Sequence, residues 1–345
     1  MADCRIPSRG FGWVRSDFVV PRQNDGVTNE GDDMAKVGNG MHEVVNGFTT
    51  AHLETMKAEL FEWWDTNARD LPWRFGRATP WGILVSEVMS QQTQMSRVVP
   101  YWTDWMAMWP DAASLAAASS AEVITAWGRL GYPRRSLRLQ ECACAVVERY
   151  GGELPKTYDG LVALPGIGDY TASAVMSFAF GERIAVIDTN VRRVLWRTFK
   201  GEESFGGAAR PEERELANAV LPRDPAESVT WNEALIELGA LVCTAKNPKI
   251  DEDPWAFESL FYAAGCPGIG QKRTRPRQRF KGTNRQVRGL ILNALRNLSD
   301  AGTTLARAEV EALWPDHVQL DACIASLDED GLIEIAADGS LRLPR

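Results

Sequence analysis

Two acids, a glycine-containing turn and a run of amides carry the chemistry this sequence can offer. Glu87 stands in Ser86-Glu87-Val88-Met89-Ser90-Gln91-Gln92-Thr93-Gln94, and Asp188 in Ile187-Asp188-Thr189-Asn190. Breaking a glycosidic bond calls for two carboxyl groups of unlike character. One protonates the leaving group, and the other faces the positive charge that grows on the sugar. Apolar surroundings raise a carboxyl pKa and suit the first role, and Glu87 has Ile83, Leu84, Val85, Val88 and Met89 around it in the chain. Asp188 follows the apolar run Ile184-Ala185-Val186-Ile187 and precedes a helix, which it can also cap. Taken singly, Glu87 reads as a solvated helix residue and Asp188 as an N-cap, so the inference rests on the set.

The turn is Leu164-Pro165-Gly166-Ile167-Gly168. Its glycines permit a tight bend between helices and its proline fixes the entry. The backbone N–H groups that follow lie at a helix N-terminus and can hold a phosphate without a charged side chain. The run Gln91-Gln92-Thr93 offers amide side chains of the kind that wedge into a base stack. A nucleic acid with one base drawn out of the stack satisfies both requirements.

These groups must be positioned by helices. Apolar periodicity predicts helices over 50–67, 83–96, 97–108, 121–129, 136–150, 158–163, 170–180, 190–198, 212–220 and 231–242, with almost no strand signal before residue 330. The core is therefore expected to be all-α. Trp102, Trp105 and Trp109 share one helical face and read as core. Residues 1–47 are rich in Gly, Asn and Asp without a clean period and read as a flexible extension. Beyond 284, helices near 285–297, 305–313 and 318–330 precede a hairpin at 332–343, which together suggest a winged-helix-like module over 285–345.

Bulk composition narrows the class. The net charge of −8 argues weakly against nucleic acid, but binding needs only a local basic face. The stretch 266–284 supplies one, with Lys272, Arg273, Arg275, Arg277, Arg279 and Lys281 and no acid. No apolar run is long enough to span a membrane and the N-terminus has no apolar signal core, so a cytoplasmic location is expected, at the nucleoid in a bacterium. The six cysteines are scattered without zinc spacing and there are only three histidines, so no metal site is expected.

From Trp81 to Cys243 the motifs Ser-Glu-Val-Met-x-Gln-Gln-Thr-Gln, Gly-x-Leu-Gly-Tyr, Leu-Pro-Gly-Ile-Gly-x-Tyr-Thr-Ala and Ile-Asp-Thr-Asn-Val-x-Arg-Val occur in order. In this the chain resembles the helix-hairpin-helix (HhH-GPD) DNA glycosylases, most closely the MutY-type adenine glycosylases. The resemblance implies two helical lobes within 48–265, a six-helix lobe at about 80–185 and a second from 48–79 plus 186–265. It implies that Glu87 protonates adenine, Asp188 stabilises the sugar cation, and Tyr170 and Asn190 hydrogen-bond around them. Gln91, Gln92, Thr93 and Tyr132 would enter or line the stack, and Leu164, Pro165, Gly166, Ile167 and Gly168 would hold a phosphate. Lys272 and Arg273 would meet the backbone. Strand-cleaving relatives carry a lysine where this chain has Tyr170, and a phenol cannot form a Schiff base. A monofunctional enzyme, working as a monomer on double-stranded DNA with mismatched or oxidised pairs, is the implied product.

The chain departs from the family twice. A four-cysteine iron–sulfur cluster is usual after the core, yet here Cys243 is followed by Ile250, Asp253 and Ser259 at the ligand positions, with Cys266 off register. No cofactor is expected, and Trp255, Phe257, Leu260, Phe261 and Tyr262 are expected to plug the loop. The C-terminal segment is also too short for the larger Nudix-like domain of many adenine glycosylases, which leaves recognition of 8-oxoguanine open. A thymine glycosylase acting on T:G mismatches and a non-catalytic mismatch- or lesion-binding protein are the rival readings.

Overall fold

A computed structural model describes residues 43–204, 206–269, 280–298 and 303–345. The fold is all-α apart from two small hairpins. In chain order the helices are α1 (Thr50–Asn67), α2 (Pro80–Ser90), α3 (Met95–Met108), α4 (Ala112–Ala117), α5 (Ser120–Trp127), α6 (Arg134–Tyr150), α7 (Tyr158–Val162), α8 (Asp169–Phe180), α9 (Thr189–Lys200), α10 (Pro211–Val220) and α11 (Pro225–Leu241), then the short α12 (Leu260–Ala263). The C-terminal module adds α13 (Asn284–Arg296), α14 (Arg307–Glu311) and α15 (His317–Glu329). No helix among the described residues is long and apolar enough to cross a membrane.

The chain divides into two units. One comprises Asn67–Asp188, Leu221–Ala234 and the C-terminal module. At its centre lies α2, which buries every residue from Trp81 to Met89. A helix apolar all round belongs inside a core, and Leu84, Val85 and Met89 pack with Trp105, Trp127 and Leu161. The helix starts at Pro80 because Thr79 caps it, accepting from the Gly82 N–H at 3.2 Å, with proline at the first position. It stops at Ser90 rather than running to residue 96. Gln92 takes a left-handed φ of 54°, and α3 begins anew after Gln94. The sequence pattern also passed over α4, although Asp111 and Ser114 form a reciprocal capping box at its start. Leu71 and Trp73 join the core of this unit, so 67–79 does not group with the second lobe as expected.

The C-terminal module has the three helices and hairpin of the expected winged helix. Strands β3 (Glu334–Ile335) and β4 (Leu341–Arg342) pair antiparallel, and Leu305 bridges to Leu341 as a third short strand. Its core of Val287, Ile291, Leu320, Ile324 and Leu341 takes in Ala121 and Ile124 of α5. Arg296 donates to the Ile124 carbonyl at 3.0 Å, and Arg129 to the Asn293 side chain at 2.8 Å. It is thus built onto the six-helix lobe rather than hung from it.

The other unit holds residues 43–66, Thr189–Val220 and Leu235–Ile269. It opens on a hairpin that the sequence did not announce. Glu43–Val45 pairs with Phe48–Thr49 across Asn46 and Gly47, both at positive φ, as a two-residue hairpin turn requires. Phe48 anchors it against Phe199 at 4.8 Å. The expected extension 1–47 therefore gives way to structure at Glu43, and its earlier part lies outside the described residues, as do Lys272 and Arg273.

Candidate active site

Burial of α2 carries Glu87 into the core with 8% of its surface exposed. Its Oε2 accepts a 2.8 Å hydrogen bond from the Tyr170 hydroxyl, on the first turn of α8. Burial raises the Glu87 carboxyl to about 7. The Tyr170 bond and the Arg74 charge pull it down, while the negative charges of Asp188 and Glu233 push it up. The same burial, with Glu87 and Asp188 nearby, drives the Tyr170 phenol well above its usual range, so Tyr170 stays a neutral donor. Near neutrality Glu87 is divided between acid and carboxylate, the condition for a general acid. The solvated-helix reading of Glu87 fails because α2 exposes no face there.

Asp188 is half-buried at the end of the extended run from Ile184. That run is pinned by Asn232 of α11, which accepts from the Val186 N–H at 3.2 Å and donates to the Ile184 carbonyl at 2.8 Å and to Ser177 Oγ at 3.1 Å. Asn232, Arg74 and Glu233 escaped the sequence reading because only long-range packing brings them to α2 and α8. Asn190 belongs to the other unit. There its Oδ1 accepts from Arg193 at 2.8 Å, and Arg193 is itself fixed on the Gly239 and Cys243 carbonyls.

The Leu164–Gly168 turn has the form expected of it. Leu164 and Ile167 are buried, Gly166 takes a φ of 76°, and Gly168 is exposed at the N-cap of α8, where no side chain caps the helix. The one nearby carboxylate, Asp169, accepts from the Tyr158 hydroxyl at 2.6 Å. The two residues implied as wedges share another trait. Gln92 and Tyr132 both hold left-handed backbones, at φ 54° and 49°, a conformation costly for residues with side chains. One half-buried residue ties their turns together. Arg135 Nη1 donates to the carbonyls of Val88 (2.8 Å) and Gln91 (2.7 Å), and Nη2 to Thr93 Oγ1 and the Gly131 carbonyl, each at 3.1 Å. Thr93 and the Gln91 backbone are thereby committed within the protein, and Gln92 and Tyr132 are presented outward. Arg135 carried no local sequence signal.

The loop after α11 does not suit an iron–sulfur cluster. Cys243 Sγ accepts from Arg197 at 3.6 Å, and the Tyr262 hydroxyl donates to Asp253 Oδ2 at 2.7 Å. Ile250 and Ser259 offer no thiolate, and Cys266 packs with Phe261 and Tyr262. Trp255, Phe261 and Tyr262 are buried as the plug requires, but Phe257 is 58% exposed and takes no part in it. Among the described residues no cluster of His, Cys, Asp or Glu could hold a metal ion.

Known proteins match this architecture. Residues 85–220 match the family described as HhH-GPD superfamily base excision DNA repair protein. The chain is 45% identical over 287 residues to an adenine DNA glycosylase of Mycolicibacterium smegmatis, covering 83% of this chain and 94% of that one. It is 42% identical to an adenine DNA glycosylase of Mycobacterium tuberculosis, covering 83% and 92%. Among solved structures, a thermostable thymine-DNA glycosylase superposes with a TM-score of 0.56 at 25% identity, over 61% of this chain and 97% of that one.

Proposed function

The chain belongs to the HhH-GPD superfamily of base excision DNA repair proteins, and from that premise we propose that it is a monofunctional adenine DNA glycosylase acting on adenine opposite 8-oxoguanine or guanine. The observation that carries the reading is the buried Glu87–Tyr170 pair at 2.8 Å with the charge of Asp188 beside it.

The chemistry follows from that geometry. Adenine, turned out of the duplex, meets Glu87 in its protonated form. The Glu87 proton passes to a ring nitrogen as the bond from the sugar to the base breaks, and the electron pair leaves with adenine. The Asp188 carboxylate faces the sugar cation. Water adds to that cation, releases a proton and leaves an abasic site. Tyr170 holds Glu87 in place and, having no amine, forms no imine with the sugar, so the strand stays intact. Gln92 and Tyr132 fill the space the base vacates, and the Leu164–Gly168 turn with the N-terminus of α8 grips a phosphate. Asn190 is the further hydrogen-bonding residue that the family resemblance implies. Lys272 and Arg273 add backbone contacts. The enzyme works as a monomer in the cytoplasm, at the nucleoid in a bacterium, and without a [4Fe–4S] cluster, since one thiol cannot ligate it.

Single-turnover assays on duplexes bearing A:8-oxoG, A:G and T:G test this. Adenine release from A:8-oxoG, lost in Glu87→Gln and in Asp188→Asn, is the expected result. Thymine release instead would move the protein toward the activity named for the structural relative above. Tight binding without release from any duplex would make it a lesion-binding protein. Strand breakage without heat or alkali would overturn the monofunctional assignment, and visible iron–sulfur absorbance in anaerobically purified protein would overturn the cluster-free one.

A further inference from the structure

A groove of about 1150 Å³ lies within the larger unit, between the Gln92 and Tyr132 turns on one side and α13 with Phe280 on the other. Its walls carry eight arginines against one carboxylate, Asp330. That carboxylate is already paired with Arg288 at 2.5 Å and Arg134 at 3.2 Å. Most of the other arginines are committed too: Arg135 to the turns, Arg296 to Ile124, Arg129 to Asn293. Arg285 is different. It is exposed, makes no ion pair among the described residues, and lies over the Tyr132 ring 6.0 Å from its centroid, with the Arg135 guanidinium also over that ring at 5.5 Å. Tyr132 is 51% exposed and Phe280 60%, so two aromatic rings and an uncommitted guanidinium face one basic space.

We propose that this groove seats the DNA strand opposite the extracted adenine, and that Arg285 of the C-terminal module reads the guanine-type base left without a partner. The proposal rests on the adenine glycosylase reading. Gln92 follows directly on the helix that carries Glu87, so a wedge at Gln92 and Tyr132 separates the extracted base from the one left behind. The groove opens at those two residues, and its charge suits phosphates. A base freed from its partner stacks on an exposed aromatic ring. An arginine held over that ring by a cation–π contact keeps its fork free, and the fork matches the O6 and N7 edge of guanine. Guanine accepts at both O6 and N7, whereas 8-oxoguanine carries a proton on N7 and takes one bond of the fork at O6; cytosine and an abasic sugar offer neither acceptor. In this arrangement the winged-helix-like module acts through the N-terminal turn of α13, and not as a separate reader.

The test is equilibrium binding by fluorescence anisotropy, with the full chain carrying Glu87→Gln so that no base is released. The duplexes hold adenine opposite 8-oxoguanine, guanine, cytosine or an abasic analogue. Preference for the two guanine-type duplexes over the other two is expected, and Arg285→Ala should cut it roughly tenfold for guanine, which takes both bonds of the fork, and less for 8-oxoguanine, which takes one. Arg285→Lys, which keeps the charge but not the fork, should restore the salt dependence and not the preference. Thermal unfolding should not move, as Arg285 is exposed. Equal weakening on all four duplexes would reduce Arg285 to a phosphate contact, and no change on any would empty the groove of DNA. Either result overturns the proposal. A wild-type chain that releases no adenine would sink the glycosylase reading alone, because the binding preference is measured without turnover.

Discussion

Among the described residues two carboxyl–tyrosine pairs in the interior, one in each unit, are chemically alike. Tyr170 donates to Glu87 at 2.8 Å, and Tyr262 donates to Asp253 at 2.7 Å. Burial raises Glu87 to about 7 and Asp253 to about 6. They differ in what remains unsatisfied. Asp253 accepts on both oxygens, from Tyr262 at Oδ2 and from the Trp255 N–H at Oδ1, 3.0 Å away. Cys243 and Arg197 close around it. Glu87 takes a single side-chain hydrogen bond among the described residues, and Asp188 adds a like charge. A carboxyl saturated by its own protein is structural, whereas one with an oxygen left over awaits a group from outside. A raised pKa alone does not separate the two; the count of acceptor sites does.

Exchanging the acids breaks the comparison most visibly. Glu87→Gln should slow adenine release by about 100- to 10,000-fold in single turnover, the span of general acid catalysis. Asp253→Asn should leave that rate within a few-fold. If Asp253→Asn were as damaging, the two pairs would be one functional system and the acceptor-count argument would fail. The pH profiles sharpen the contrast. Glu87 acts in its protonated form, so the release rate should fall about tenfold per pH unit above its titration near 7. Asp253 should be silent in the rate and visible in stability. Its folded pKa lies above the unfolded value of 3.8, so its contribution is fully present below that value and lost as pH rises through about 6. Unfolding titrations at pH 5 and pH 8 should therefore move in favour of Asp253→Asn by on the order of 1 kcal/mol at the higher pH, part of the contribution being already lost at pH 5.

Much of the catalytic half of this comparison can be read in the sequence, and little of the other half. Local pattern identifies α2 and the Leu164–Gly168 turn, because each is set by neighbours in the chain. It misjudges where α2 ends, since nothing local announces that Gln92 turns left-handed at φ 54°. Arg135 is beyond it altogether: four of the hydrogen bonds by which it joins the Gln92 and Tyr132 turns link residues more than forty positions apart. The Asp253–Tyr262 pair is hidden for another reason. In sequence Asp253 registers only as a missing cysteine, and its satisfied state exists only once Trp255 and Tyr262 have folded round it.

The tyrosines give a smaller and more discriminating test. The Tyr170 bond lowers the Glu87 pKa, so Tyr170→Phe should move the midpoint of the rate profile to higher pH while cutting the rate at its plateau about tenfold. Tyr262→Phe removes a donor from a buried acceptor and should cost about 1–3 kcal/mol of stability, with the rate profile unmoved. Equal behaviour of the two variants would erase the distinction between the sites.

The smallest expected effect belongs to Cys243, and it bears on how the second site came to be closed. Burial raises its thiol, Asp253 adds to the rise, and Arg197 donates to its sulfur at 3.6 Å. A thiol so placed is a small apolar filler with one weak acceptor role. Arg197 does not depend on it, since the guanidinium also donates to the Thr244 carbonyl at 2.8 Å and to Glu203 at 2.5 Å. Serine keeps an acceptor there and loses little volume, so Cys243→Ser should change stability by less than about 1 kcal/mol and leave adenine release and the visible spectrum as they were. Loss of several kcal/mol together with loss of visible absorbance would mean that the thiol holds a metal centre. The loop would then be organised by that centre, and the saturation of Asp253 would be its consequence.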